Sequence, residues 1–212
     1  MQFNKLKRGA NREMNNEQTV YEILDAGFLC HIAFQHEGTP MIIPTAYGRK
    51  DDCLYFHGNT KNFMMNQIIN GNTISVAVTH LDGIVLARTL FDTSANYRSV
   101  VLFGKAERIT DHIERIEGLK TITENIIKGR FDEVPIGTEN ELKATMVVKF
   151  KIESATAKIR AGAPQGDDDE TNETWSGHIP LKFRAEEPVQ DNKFGTKLAM
   201  TDSVLNFWNK NK

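Results

Sequence analysis

The chain is short of the features that usually declare a function. It has two cysteines in 212 residues, Cys30 and Cys53. Each lies in an apolar, strand-like run and neither belongs to a Cys-x-x-Cys pair. That excludes a disulfide framework and a thiol-based zinc or redox pair, and it fits small buried side chains in a reducing compartment. The six histidines are scattered without ligand-like spacing, so no metal site is expected. No apolar run approaches the roughly 18 residues of a membrane span. The first dozen residues lack an apolar stretch of the secretory kind, although Lys5, Lys7, Arg8 and Arg12 leave an organelle-targeting segment as an alternative. A net charge of −2 provides no basic field for nucleic acid. No Gly-x-Gly-x-x-Gly segment occurs, which argues against a permanently bound nicotinamide dinucleotide. These absences lead to the expectation of a cytoplasmic protein with no membrane and no nucleic-acid partner.

Composition is that of an ordinary globular domain, 40% hydrophobic and 25% charged. Residues 1–16 read as a basic N-terminal arm. Asn16 is placed to cap a helix over 17–26 that Gly27 ends. Short apolar runs follow at 28–34, 41–47, 53–57, 73–79 and 84–87, separated by turn signals at His36-Glu37-Gly38, Lys50-Asp51-Asp52 and Asp82-Gly83. A helical pattern is embedded after Asn62. Residues 93–97 read as irregular, leading into a long strand through Ile109, with Gly104 at a bulge or barrel corner. Asp111 caps an amphipathic helix to 127, with Ile113, Ile116, Leu119, Ile122 and Ile126 on its buried stripe. A loop over 129–137, a short helix at 139–143, strands at 145–152 and 156–159, an acidic mobile loop at 165–174, a strand at 178–183 and a terminal helix near 204–208 complete the chain. Hairpin connections dominate the first 90 residues. The expected fold is therefore mainly β, of the α+β class: an antiparallel barrel with peripheral helices, spanning 17–185 and followed by a tail over 186–212.

Three polar segments interrupt this apolar framework. In His57-Gly58-Asn59-Thr60-Lys61-Asn62 a strand delivers the chain to a helix start. The free N–H groups there, with the Thr60 hydroxyl and the Lys61 charge, suit a phosphate; a capped helix start with solvated polar residues is the plainer alternative. In Pro44-Thr45-Ala46-Tyr47 the proline cannot donate to a sheet ladder, so it marks an edge or a break where main-chain groups are free to meet a ligand. In the run from Arg88 through Ser94, Asn96, Tyr97, Arg98 and Ser99 two arginines invite an anion; a surface loop with Arg88 paired to Asp92 is the alternative. His57, at a strand end, is either a hydrogen-bonded structural residue or a proton-exchanging group. Trp175, just after the acidic loop, can close over a planar ligand or pack against the core.

The wording Arg-Ser-Val-Val-Leu-Phe-Gly-Lys-Ala-Glu-Arg-Ile at 98–109, with Leu-Ala-Arg at 86–88 and Asn-Tyr-Arg at 96–98, resembles the pyridoxamine 5'-phosphate oxidase-like flavoproteins. The resemblance covers about residues 8–183 and is closest to the branch of flavin-nucleotide-binding proteins related to nitroimidazole-resistance proteins. It implies an FMN-binding split barrel that forms a homodimer, with flavin sites at the subunit interface. By the same resemblance the phosphate of FMN lies at Gly58, Asn59, Thr60, Lys61 and Asn62, the ring lies along Pro44, Thr45, Ala46 and Tyr47, and Arg88, Ser94, Asn96, Tyr97, Arg98 and Ser99 reach the flavin together with Trp175. His57 becomes the catalytic candidate. Some relatives carry two basic residues where this chain has Lys61 and Asn62, so Arg98 is expected to help hold the phosphate. The implied function is flavin-dependent oxidoreduction of a small molecule, nitro-group reduction being one possible reaction. A non-catalytic flavin-storage protein and a haem-binding split barrel are the alternatives. The C-terminus has no arginine after Arg184, which argues against pyridoxamine phosphate as substrate.

Overall fold

The computed structural model describes residues 1–4, 14, 16–165, 172–191, 193 and 198–212. Most of the expected arm, including its basic cluster, and the acidic run Asp167–Glu170 lie outside the described residues.

Nine strands share one sheet: β1 (Gln2–Phe3), β2 (Leu29–His36), β3 (Thr39–Ala46), β4 (Gly48–Lys50), β5 (Cys53–Asn59), β6 (Ile74–Leu86), β7 (Ser94–Arg108), β8 (Thr145–Arg160) and β9 (Gly177–Pro180). The order is β3-β2-β6-β7-β8-β5-β4; β9 adds to β6, and β1 adds to β8 as the one parallel pair. β3 is an edge, and it approaches β5 without a ladder between them. The sheet thus curls into a barrel that stays split, as expected.

Two expected breaks are bulges inside long strands. Asp82-Gly83 does not turn the chain: β6 runs through it, with a register shift between Leu81 and Gly83 opposite β7. The polar residues from Ser94 onward, expected to be irregular, are the first rungs of β7. Tertiary pairing overrides the local turn signal here because β7 supplies a ladder partner along nearly the whole of β6. The strands expected at 145–152 and 156–159 are likewise one strand. Its register shifts between Phe103 and Gly104, where a Cβ added to Gly104 would lie 1.9 Å from the Lys151 carbonyl oxygen. Only glycine lets β7 and β8 approach this closely at the corner.

Alternation along the strands builds the core. Ile32, Val76, Val78, Val100, Leu102, Val148 and Phe150 point inward with Leu54 and Phe56. Helix α1 (Glu17–Asp25), capped by Asn16 accepting from the Thr19 N–H, seals this core with Val20, Ile23 and Leu24. The opposite face of β5 carries Cys53 and Tyr55, which join Val147, Ile109 and Ile122 in a second cluster under α3 (His112–Ile126). Both cysteines are buried and free, and burial pushes the Cys30 thiol up to about 12. Ile113 departs from the expected stripe: it is exposed, because α3 packs only through its central and later turns.

The later helices form a chain of caps. Glu124 of α3 accepts from the N–H groups of Gly129 and Phe131 at the start of α4 (Arg130–Glu133), a helix inside the expected loop. Glu133 of α4 accepts from the Ser203 N–H at 2.8 Å and its hydroxyl at 2.5 Å, at the start of α6 (Asp202–Asn211). Between them, α5 (Glu139–Ala144) opens with a capping box between Thr138 and Glu141.

Candidate functional site

β5 ends in His57, Gly58 and Asn59, and the chain then turns into α2 (Phe63–Ile68). The cap of α2 is Asn62, which accepts from the Met65 N–H at 3.0 Å, so the helix begins after Asn62 as its pattern predicts. Asn59 shapes the turn by accepting from the Lys61 N–H at 2.8 Å, and Thr60 donates its own N–H to the Ala144 carbonyl of α5 at 2.9 Å. The Thr60 hydroxyl and the exposed Lys61 ammonium have no partner among the described residues. Behind them Met64 and Met65 fill the core, as their helical spacing predicts.

His57 projects from β5 beside this turn, opposite Val147 of β8. Its side chain is exposed and makes no hydrogen bond among the described residues. The protein around it still desolvates the ring enough to lower its pKa below the usual histidine value, so it is neutral at pH 7 and available to exchange a proton. His80, by contrast, bonds the Ile23 carbonyl at 2.9 Å and is structural.

β3 presents Pro44, Thr45 and Ala46 on the free edge, with Pro44 opposite His31 of β2. The unpaired side of an edge strand leaves main-chain groups open to a ligand. Tyr47 is different. It is wholly buried; its hydroxyl donates to the Leu24 carbonyl at 2.5 Å, its N–H donates to Phe28, and its carbonyl accepts from Asn125. Every polar atom of Tyr47 works inside the fold, so the outward part of this segment ends at Ala46.

The third segment lies elsewhere. Val147, opposite His57, and Ile159, opposite Arg98, are about twelve residues apart on β8, on the order of 40 Å of strand contour. Arg98 does not join Lys61: both its Nε and Nη2 are held by Asp82. Asn96 is buried, donating to the Gly162 carbonyl at 3.0 Å and accepting from Arg160 at 2.5 Å. Tyr97 and Ser99 alternate with them; Ser99 donates to the Lys158 carbonyl at 3.4 Å and Lys158 lies 6.0 Å from the Tyr97 ring. Arg88 lies in the β6–β7 loop and Ser94 opens β7 after it. In that loop Asp92 accepts from the Thr89 hydroxyl, while Leu90 and Phe91 are each 95% exposed. Trp175 joins this end because β9 pairs with β6, with Gly177 opposite Leu86; a Cβ on Gly177 would come within 2.9 Å of the indole.

Within one chain, therefore, the predicted residues form two groups: Pro44–Ala46 with His57–Asn62 near the split, and Arg88–Ser99 with Trp175 at the β6–β7 hairpin. Sequence reasoning missed Asp82, Arg160 and Arg115. The Nη2 of Arg115 donates to the Leu142 carbonyl of α5 at 2.8 Å, while its buried Nε has no partner among the described residues. None of the three sits in a recognisable motif; each acts across more than 15 residues of sequence. Among the described residues no three His, Cys, Asp or Glu side chains group to hold a metal, and no helix is long and apolar enough to cross a membrane.

A sequence model of the family described as pyridoxamine 5'-phosphate oxidase matches residues 16–159. No curated protein matches the chain. A flavocytochrome structure from Azotobacter vinelandii is similar at 30% identity and a TM-score of 0.88, over 95% of this chain and 94% of its own. An FAD- and haem-binding protein from Mycobacterium smegmatis is similar at 30% identity and 0.86, over 92% and 96%. A protein from Bacteroides thetaiotaomicron, provisionally assigned to 5-nitroimidazole antibiotic resistance, shares the fold at 20% identity and 0.60, over 69% and 86%.

Proposed function

Because this chain belongs to the pyridoxamine 5'-phosphate oxidase family, we propose that it is an FMN-dependent oxidoreductase acting on a small molecule. The observation that carries this reading is the end-to-end similarity to two flavin proteins at 30% identity. The residues at the split fit such a group. Thr60 and Lys61 offer an unbonded hydroxyl and ammonium for the phosphate, and the β3 edge offers main-chain groups to the ring. Bound there, the flavin supplies hydride acceptance and transfer. His57, neutral and unpartnered, orients the substrate or exchanges a proton with it. Nitro-group reduction is the first activity to assay.

The second group of residues is too far along β8 to share a site with His57 in one chain. A homodimer removes this difficulty if the partner copy brings its hairpin to the site. The outer face of the sheet supports such pairing: Leu29, Ile42, Leu81, Ile84 and Ile179 are apolar and exposed on it, and an uncovered apolar face of this kind marks an interaction surface. Sedimentation of the flavin-loaded protein as a monomer would remove the dimer from this account.

A specific observation favours a second reading, in which haem accompanies the flavin. The two structures similar over more than 90% of this chain, including the part beyond residue 159 where the family match ends, are a flavocytochrome and an FAD- and haem-binding protein. The visible spectrum of the protein as isolated tests both readings. Oxidised-flavin bands alone support the first, an added Soret band supports the second, and neither signal after loading with FMN or FAD contradicts both. Release and chromatography of the flavin separates FMN from FAD. Anaerobic mixing with NADH or NADPH bleaches the flavin band of an enzyme and leaves that of a storage protein unchanged.

A further inference from the structure

We infer that the flavin phosphate is held by two lysines from different elements, Lys61 after β5 and Lys143 at the end of α5. This rests on the flavin reading above and adds a residue to its site. A phosphate monoester carries close to two negative charges at neutral pH, and the turn after β5 supplies only one positive side chain. Asn62 follows Lys61 and is already occupied in capping α2. That helix is six residues long, too short for its dipole to replace a full charge. Arg98 is held by Asp82 at the far end of β8. Within one chain, the second cation has to come from another element packed on the turn.

α5 is that element. The Ala144 carbonyl accepts the Thr60 N–H at 2.9 Å, so Lys143 immediately precedes the residue that touches the turn, their Cα atoms about 3.8 Å apart. Lys143 is exposed and has no ion-pair partner among the described residues. Two nearby acids are engaged, Glu141 accepting from the Thr138 N–H and hydroxyl and Glu114 pairing with Lys149 at 2.9 Å, while Glu139, one turn before Lys143, is exposed and makes no hydrogen bond or ion pair among the described residues. The helix that carries Lys143 is fixed at both ends, by the Thr138–Glu141 capping box and by Arg115 donating to the Leu142 carbonyl. A lysine there is a mobile donor on a fixed base, suited to a phosphate as a point charge. Sequence separation, more than 80 residues between the two lysines, hides the pairing.

The test is phosphate discrimination. Flavin-free protein is titrated with FMN, FAD and riboflavin by fluorescence quenching, as wild type, Lys61→Gln, Lys143→Gln, the double variant and Lys143→Arg. The wild type is expected to prefer FMN to riboflavin. Each single glutamine variant loses about 10- to 100-fold in FMN affinity with riboflavin affinity unchanged; the double variant loses the preference, and Lys143→Arg keeps it. If Lys143→Gln retains the wild-type ratio while Lys61→Gln collapses it, the second lysine is wrong and the flavin reading stands. If the wild type binds no flavin, or FMN and riboflavin equally, the phosphate placement falls and this inference falls with it.

Discussion

Arg98 closes a two-point fork on Asp82, Nε to Oδ2 at 2.9 Å and Nη2 to Oδ1 at 2.8 Å. The two residues lie on neighbouring strands, and Asp82 sits at the bulge of β6 where its register with β7 shifts. The carboxylate raises the arginine's pKa chiefly through this hydrogen bonding. The guanidinium therefore pins the bulge, and its charge is partly neutralised before any ligand arrives. Both side chains are more than a third exposed, so solvent screening limits the pair. A double-mutant cycle of Arg98→Ala and Asp82→Ala is expected to give a coupling of about 0.5–1 kcal/mol. In titrations with FMN and riboflavin, Arg98→Ala should leave the ratio of affinities unchanged.

Gly104 sets the corner at which β7 and β8 cross. With the Lys151 carbonyl 1.9 Å from where a Cβ would stand, Gly104→Ala forces two backbones apart rather than moving a flexible side chain. Urea unfolding should show a loss of at least about 2 kcal/mol. A loss below about 0.5 kcal/mol would mean that the corner opens freely.

Asn125 on α3 donates to two carbonyls at once, Gly27 and Tyr47, each at 3.0 Å. It ties the end of α1 and the end of β3 to the same helix. Asn125→Ala removes both bonds and should cost about 1–3 kcal/mol, read by denaturant midpoint. Since Tyr47 anchors the strand that carries Pro44–Ala46, the same variant should shift the visible spectrum of bound flavin. An unchanged spectrum would separate this anchor from the ring site.

Glu133 holds the start of α6, and its hydrogen bonds from Ser203 lower its pKa from the ordinary glutamate value of 4.5 to about 2. A carboxylate with a depressed folded-state pKa contributes stability above its unfolded value, and that contribution is lost as pH falls through the folded value. Docking of α6 should thus be intact above about pH 4.5 and weaken progressively toward pH 2. Fluorescence of Trp208 on α6, followed in a Trp175→Phe background, reports this directly. In Glu133→Gln the acid-dependent change should vanish and α6 should be looser at neutral pH.

Local grammar was legible wherever neighbours in sequence make the contact. Asn16 and Asp111 marked the helix starts, alternation marked the strand faces, and Gly104 marked the corner; Gly27 follows the end of α1, but Ala26 caps that helix and Gly27 does not take the left-handed conformation expected of it. The Glu37-Gly38 hairpin was also readable, since both residues take positive φ, 48° and 79°, as a two-residue turn requires. Asp82-Gly83 misled because the same dipeptide serves a turn or a bulge, and only the length of the partner strand decides between them. Polar residues likewise do not announce their side of the fold. Tyr47 and Asn96 look like ligand contacts in sequence, yet Leu24, Gly162 and Arg160 use them in the interior.

The order of residues by itself determined the antiparallel barrel, its capped helices and the polar turn with Thr60 and Lys61, because each rests on hydrogen bonds and apolar periodicity within a few positions. Tertiary structure alone decided which distant groups meet: Arg98 goes to Asp82, and the Ala144 carbonyl, next to Lys143 in the chain, goes to the Thr60 N–H across more than 80 residues. Charge acts through space over a few ångströms, and the sequence does not record which distant segments the curling of one sheet will bring that close.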